Sequence, residues 1–149
     1  MNNDKSNNKV ALVTGAGTGI GRAVALAFLR EGYSVVLAGR RIEPLSNVVK
    51  ESGTDRALAV ATDVSQPDSV NALFAKIKEV FGRLDVLVNN AGVGTPGVNF
   101  EDISFEQWQN AARAATFVQR GCRAAPRRRI ASHFEQPVDG RAVAGRVHA

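Results

Sequence analysis

The chain has 149 residues, enough for one domain with a buried core, and carries a formal net charge of +5 with a pI near 10.0. That average hides a division: residues 1–110 hold 11 Lys+Arg against 12 Asp+Glu, whereas residues 111–149 hold 8 arginines, no lysine and 2 acids. Cys122 alone excludes an intramolecular disulfide, both histidines (His133 and His148) lie beyond residue 110 and exclude a His/Cys metal cluster in the body, and neither a signal peptide nor a membrane-length apolar run is present, so a cytoplasmic protein without a metal site is expected.

After a polar start expected to be disordered (residues 1–8), "KVALVT" (Lys9–Thr14) reads as a short buried strand ended by glycines. Gly19–Glu31 reads as a helix with Val24, Leu26, Phe28 and Leu29 as apolar surface, stopped by Gly32. "YSVVLAG" (Tyr33–Gly39) is a second strand, "IEPLSNVVKES" a short helix and "RALAVATDV" (Arg56–Val64) a third strand. Pro67 opens the next helix, in which Val70, Leu73, Phe74, Ile77, Val80 and Phe81 trace one face at a 3.6-residue period. "LDVLVNN" (Leu84–Asn90) is a fourth strand, continuously apolar rather than alternating. This alternation predicts an α/β fold: a Rossmann-type doubly wound parallel sheet, incomplete at about four strands, with an irregular C-terminal tail.

Between the first strand and helix stands "TGAGTGIGRA" (Thr14–Ala23). A turn poor in Cβ atoms lets backbone N–H groups approach a pyrophosphate at the positive end of a helix. The spacing departs from G-x-G-x-x-G, which would need glycine where Ile20 stands, and is instead T-G-x-x-x-G-x-G through Gly15, Gly19 and Gly21. With "DV" (Asp63–Val64) ending the third strand, "NNAG" (Asn89–Gly92) ending the fourth and "FEQWQN" (Phe105–Asn110) beyond, the sequence resembles the short-chain dehydrogenase/reductase family over roughly residues 9–110. The resemblance implies a dinucleotide-binding domain over 9–110 that acts on a carbonyl/alcohol pair. It implies cofactor contacts from Gly15, Thr18, Gly19, Ile20 and Gly21, from Asp63 and Val64 at the adenine, and from Asn90, Ala91 and Gly92 near the ribose. NAD selection uses an acid at the end of the second strand, and NADP selection a base. Here Gly39 occupies the acid's position and Arg40 and Arg41 follow, which favours NADP and leaves NAD compatible.

The family's catalytic pattern, an Asn, a Ser and Tyr-x-x-x-Lys, does not carry over. The one tyrosine is Tyr33, with Leu37 four residues on, the last lysine is Lys78, and no Tyr follows Ser132. No catalytic residue is therefore assigned. Residues 111–149, rich in Ala and Arg, have the composition of a GC-rich gene read out of frame, and a frame shift just after Asn110 is expected, with a gene fusion or a natural divergent tail as the competing account. "RAAPRRR" (Arg123–Arg129) and Arg141 offer phosphate contacts, yet Phe117 and Phe134 are the segment's only aromatics, so a solvated, disordered tail is expected rather than a nucleic-acid binder. The sequence reads as the cofactor-binding half of an NADP-preferring oxidoreductase, inactive alone, with the fourth strand left as an open edge and no oligomer of the family's usual kind. The alternative is a non-catalytic dinucleotide-binding fragment that pairs with an intact homologue.

Overall fold

In the computed structural model, β1 (Val10–Thr14) is buried at every position, as its unbroken apolar run requires of a strand covered on both faces. The structure describes residues 9–92, 104–106, 109, 118 and 129–132. Within them β1 is joined by β2 (Ser34–Gly39), β3 (Ala57–Ala61), β4 (Val86–Asn89) and β5 (Arg129–Ser132) in one all-parallel sheet of order β3-β2-β1-β4-β5. Helices α1 (Gly19–Arg30), α2 (Ile42–Ser52) and α3 (Pro67–Phe81) connect the first four strands.

Side chains alternate across each strand, and the alternation divides the core into two layers. Ala11 and Val13 of β1 and Val35 and Leu37 of β2 pack with Ala25 and Leu29 of α1 and Leu45 and Val48 of α2. Val10, Leu12, Val36, Ala38 and Leu87 face the other way, onto Val70, Leu73 and Ile77 of α3 and onto Val118. The chain runs outward from β1 to β2 and β3, and α3 then returns it to β4 on β1's opposite side. The direction of winding thus reverses between β1 and β4, and at such a switch point the strand ends open a crevice.

Local chemistry sets the helix ends. Pro67 takes the first helical position of α3, and Asp68 and Lys78 lie in its first and last turns, where each complements the macrodipole. At the end of α1 the Tyr33 N–H donates to the Phe28 carbonyl (3.0 Å) and the Gly32 N–H to that of Leu29 (3.1 Å), a Schellman closure. The Phe28 and Tyr33 rings meet edge to face with centroids 5.0 Å apart, the apolar contact that accompanies such an ending.

The sheet carries one strand more than the sequence indicates. Arg129–Ser132 pairs in parallel with β4, from Val86↔Arg129 to Asn89↔Ser132, so the expected open edge on β4 is occupied. A four-residue strand that begins at the end of a run of arginines has too few apolar positions to show a period, and β4 supplies the row of backbone partners. Strand bounds also tighten: β2 starts at Ser34, β3 covers Ala57–Ala61 rather than Arg56–Val64, and β4 starts at Val86. The expected disorder of residues 1–8, and that of 111–149 apart from Val118 and β5, falls outside the described residues.

At the opposite rim of the sheet, Asp85 fastens β4 to β1. Its carboxylate accepts from the Val10 N–H (2.9 Å) and from Arg83 Nε (2.8 Å), and its own N–H donates to the Val10 carbonyl (2.9 Å). Burial pushes this carboxyl's pKa up, but the Arg83 hydrogen bond, the Val10 N–H and the charges of Arg83 and Lys9 outweigh it, and the net shift is downward. A carboxylate depressed in the folded state adds stability above its unfolded pKa of about 3.9 and loses it as pH falls through the folded value. Asp85→Asn is therefore expected to lower the urea midpoint at pH 7, with the gap to the wild type closing as the pH falls well below 4. A gap of constant size across that range would mean that the carboxylate's charge contributes nothing.

Candidate functional site

The crevice at the β1/β4 switch point is closed on one side by the turn after β1. Thr14, the last residue of β1, is fully buried, and its hydroxyl accepts from the N–H groups of Asn90 (3.0 Å) and Ala91 (2.9 Å) at the end of β4. In return the Asn90 side-chain amide donates to the carbonyls of Thr14 (3.1 Å) and Gly15 (3.3 Å). The strand ends are thus laced together by side chains bonded mainly to backbone, and the Thr14 hydroxyl also lies 3.5 Å from the Val88 carbonyl and from Asn89 Oδ1.

Beneath this lacing α1 comes very close to the turn. A Cβ at Gly21 would stand 2.2 Å from the Gly15 carbonyl oxygen and 2.5 Å from Asn90 Nδ2, a separation no side chain accommodates. Gly15 and Gly19 have φ of +65° and +55°, the left-handed region in which glycine is least costly, and a Cβ at Gly19 would meet nothing within 4 Å. No acid lies in the first turn of α1, and the Thr18 side chain does not cap it. The first N–H groups of a helix have no intrahelical partners, so this end of α1 is suited to an anion.

The cleft itself has a volume of about 360 Å³ and gathers its walls from four strand ends. Gly15 and Thr18 come from the turn after β1, Arg40 and Arg41 from that after β2, Asp63 and Val64 from that after β3, and Asn90, Ala91 and Gly92 from that after β4. Nine of the twelve residues singled out in the sequence therefore line one cleft. Gly19, Ile20 and Gly21 do not; they form the first turn of α1, with Gly21 buried in the packing and Ile20 65% exposed.

Arg40 and Arg41 are exposed, and among the described residues neither holds an ion pair. Asp63 is held firmly. Its Oδ1 accepts from the Ser65 hydroxyl (2.7 Å) and the Ser65 N–H (3.0 Å), while its own N–H donates to Ser69 Oγ (2.9 Å). Those two bonds from Ser65 depress the Asp63 pKa, with a further contribution from the charge of Arg40, and outweigh the upward push of burial. The carboxylate is thus ionised and accepts only.

Gly39, which stands at the position expected for a cofactor-selecting acid, also lines the cleft, as do Gly17, Pro44, Leu45, Thr62 and Ser65, which no motif spacing marks. Gly17 has a sequence signal only in retrospect: a Cβ there would stand 2.9 Å from Pro44 Cβ, so its glycine admits α2 against the turn. Among the described residues no group of three or more His, Cys, Asp and Glu is placed to hold a metal, and no helix is long and apolar enough to cross a membrane.

Strand order 3-2-1-4-5, a glycine turn into α1 and a cleft at the β1/β4 switch define an NAD(P)-binding fold of the Rossmann type. Residues 9–119 match the family model described as short chain dehydrogenase, and the chain belongs to that family. The match runs nine residues past Asn110, the end of the resemblance legible in the sequence motifs. Among curated relatives, an uncharacterized oxidoreductase of Staphylococcus haemolyticus is 41% identical over 104 residues, 70% of this chain and 45% of the relative. A 3beta-hydroxysteroid dehydrogenase of Mediterraneibacter gnavus is 44% identical over 102 residues, 67% of this chain and 37% of the relative. Among solved structures, a 3-ketoacyl-(acyl-carrier-protein) reductase from Brucella melitensis complexed with NADH superposes with a TM-score of 0.70 at 36% identity, covering 76% of this chain and 48% of that one. A metagenomic short-chain oxidoreductase in complex with NADP gives 0.71 at 34% identity, covering 78% and 55%. The chain spans about half the length of these proteins or less.

Proposed function

We propose that this chain is the nucleotide-binding half of an NADP-preferring short-chain oxidoreductase, and that by itself it binds the cofactor without turning over. The observation that carries the reading is the convergence of the glycine turn leading into α1 (Gly15, Gly17 and Thr18), the Arg40–Arg41 pair and Asp63 on one cleft of about 360 Å³. The donor set fits the group: N–H groups for a pyrophosphate, two guanidinium groups with no acid at Gly39 for a 2′-phosphate, and an ionised carboxylate for a base amino group. Solved relatives complexed with NADH and with NADP support the dinucleotide and leave the choice between them to Arg40 and Arg41.

When bound, a nicotinamide dinucleotide supplies or accepts a hydride; this chain's own residues orient it. Thr14 and Asn90 fix the turn against β4, Asp63 and Val64 border the base, and Arg40 and Arg41 neutralise the phosphate. Proton transfer to a carbonyl needs an acid tuned toward neutral pH, and the sequence holds no Tyr-x-x-x-Lys. That lack favours a second reading, a non-catalytic binding fragment that pairs with an intact homologue, which co-purification with such a homologue would reveal. A change of reading frame remains our account of the Arg-rich end, placed after the family match at residue 119 rather than after Asn110. Reading the coding region in its other frames tests it, and failure to find Tyr-x-x-x-Lys there would end it.

Fluorescence titration with NADPH and NADH tests the main reading. NADPH should bind about tenfold or more tightly, as a charge-assisted contact warrants, and Arg40→Ala with Arg41→Ala should erase the difference while leaving NADH binding in place. No ketone in a broad panel should be reduced. Equal affinity for both cofactors would remove the NADP preference, and reduction of any ketone by this chain alone would overturn the claim of inactivity.

A further inference from the structure

We propose that Ser65 is a positioning residue for base selection, fixing the Asp63 carboxylate so that the cleft takes a 6-amino purine and turns away a 6-oxo purine. This rests on the dinucleotide reading above. Nothing in the glycine turn or the strand-end motifs marks Ser65; what marks it is geometry. Its hydroxyl and its N–H both donate to the same Asp63 oxygen, Oδ1, at 2.7 and 3.0 Å, and both residues line the cleft.

Further bonds hold the Asp63 backbone: its N–H donates to Ser69 Oγ (2.9 Å), and its carbonyl accepts from the Gln66 N–H (3.1 Å). With Oδ1 committed and the main chain anchored at both ends, the carboxylate plane has little freedom. An ionised carboxylate has acceptors only. Adenine presents an N–H donor at its 6-position, whereas hypoxanthine presents a carbonyl oxygen there. A fixed acceptor facing a second acceptor rejects it, because a buried polar group is left unpaired. A carboxylate free to swing could instead turn toward the hypoxanthine N1–H, so selectivity depends on the restraint Ser65 supplies. Two neighbours act in the same direction: Ser65 keeps Asp63 ionised through both hydrogen bonds, and Arg40 through its charge.

The test compares NADPH with its hypoxanthine analogue by fluorescence titration of the full chain. The wild type should prefer NADPH about tenfold or more, the worth of one hydrogen bond to a charged group. Ser65→Ala should cut that ratio several-fold, by weakening NADPH and leaving the analogue's affinity near the wild-type value. Ser65→Thr, which keeps both donors, should restore the ratio. An equal loss for both nucleotides, or an unchanged ratio, would overturn the proposal while leaving the dinucleotide reading intact. Failure of the wild type to bind either nucleotide would overturn both. A readout independent of binding is the Asp63 carboxyl resonance by NMR, whose titration should move to higher pH in Ser65→Ala with the melting temperature little changed. No movement of that titration would also count against the proposal.

Discussion

Gly21→Ala should abolish the cooperative thermal transition of this chain, or lower it so far that little folded protein remains at 37 °C. In an ordinary helix the same substitution would help, because alanine is favoured over glycine by about 1 kcal/mol. Gly21 lies inside α1, and its φ is not in the left-handed region, so the backbone itself raises no objection. The objection is space. The new methyl would sit 2.2 Å from the Gly15 carbonyl oxygen, 2.5 Å from Asn90 Nδ2 and 2.8 Å from the Gly15 carbonyl carbon. Two of those three atoms are backbone in a turn anchored to β4, so no rotamer change relieves the contact. Either α1 moves away from the sheet, opening the layer that Ala25 and Leu29 fill, or the turn breaks its bonds to Asn90. Overpacking that neighbouring side chains can absorb costs typically about 1–3 kcal/mol and occasionally more; here the nearest atom is a backbone oxygen at 2.2 Å, so the cost lies above that range and takes a large share of the roughly 5–15 kcal/mol available to a natural domain. Gly19→Ala is the control. Its Cβ would enter open space, so only the strain of φ +55° remains, about 1–2 kcal/mol. Circular dichroism melts of the two variants should differ widely, and a Gly21→Ala protein as stable as the wild type would show that the helix does not press on the turn.

That contrast bears on what the sequence made legible. The four strands and three helices before residue 90 could be read because their signals are local: apolar runs for β1 to β4, bounds of Ile42–Ser52 that the structure reproduces, and for α3 a 3.6-residue period with Pro67 at its start. Gly15, Gly19 and Gly21 were legible as a group, but their separate tasks were not. Spacing along the chain cannot tell a glycine that admits a ligand from one that admits another helix. Gly21 serves the packing of α1 on the turn, and Gly17, outside the motif, serves that of α2. Asn90 has the same ambiguity. Its amide is engaged with two carbonyls of the turn, so what it contributes to the cleft wall is position. Ser65 escaped notice because its importance is a bond to one particular oxygen of Asp63, which no pattern encodes. β5 escaped for the opposite reason. Arg129–Ser132 has no strand signal of its own and is a strand through its partner β4, a case of tertiary context deciding a short segment.

Thr14→Val is the second large effect, and it isolates chemistry from shape. Valine matches threonine in volume and favours strands, so β1 should form as before, and the site is fully buried. The hydroxyl, however, is where the Asn90 and Ala91 N–H groups terminate, at 3.0 and 2.9 Å. A methyl group in its place leaves both donors without a partner, and each buried donor so stranded costs about 1–3 kcal/mol. Because Asn90 and Ala91 are only half-buried and water can reach part of that deficit, roughly 2–4 kcal/mol in total is expected. Urea unfolding should show a lowered midpoint with an unchanged slope, the signature of a folded state weakened without a change in the surface exposed. Thr14→Ser keeps the oxygen and should recover most of the loss, whereas a cavity effect would leave serine, the smaller residue, worse than valine. The same substitution should weaken NADPH binding, since Asn90 is the link between the strand end and the Gly15 carbonyl and its own N–H is one of the two groups set adrift. A valine variant within about 0.5 kcal/mol of the wild type, the range of an ordinary surface change, would mean that the strand ends are held by sheet pairing alone and that the cleft does not depend on this hydroxyl for its shape.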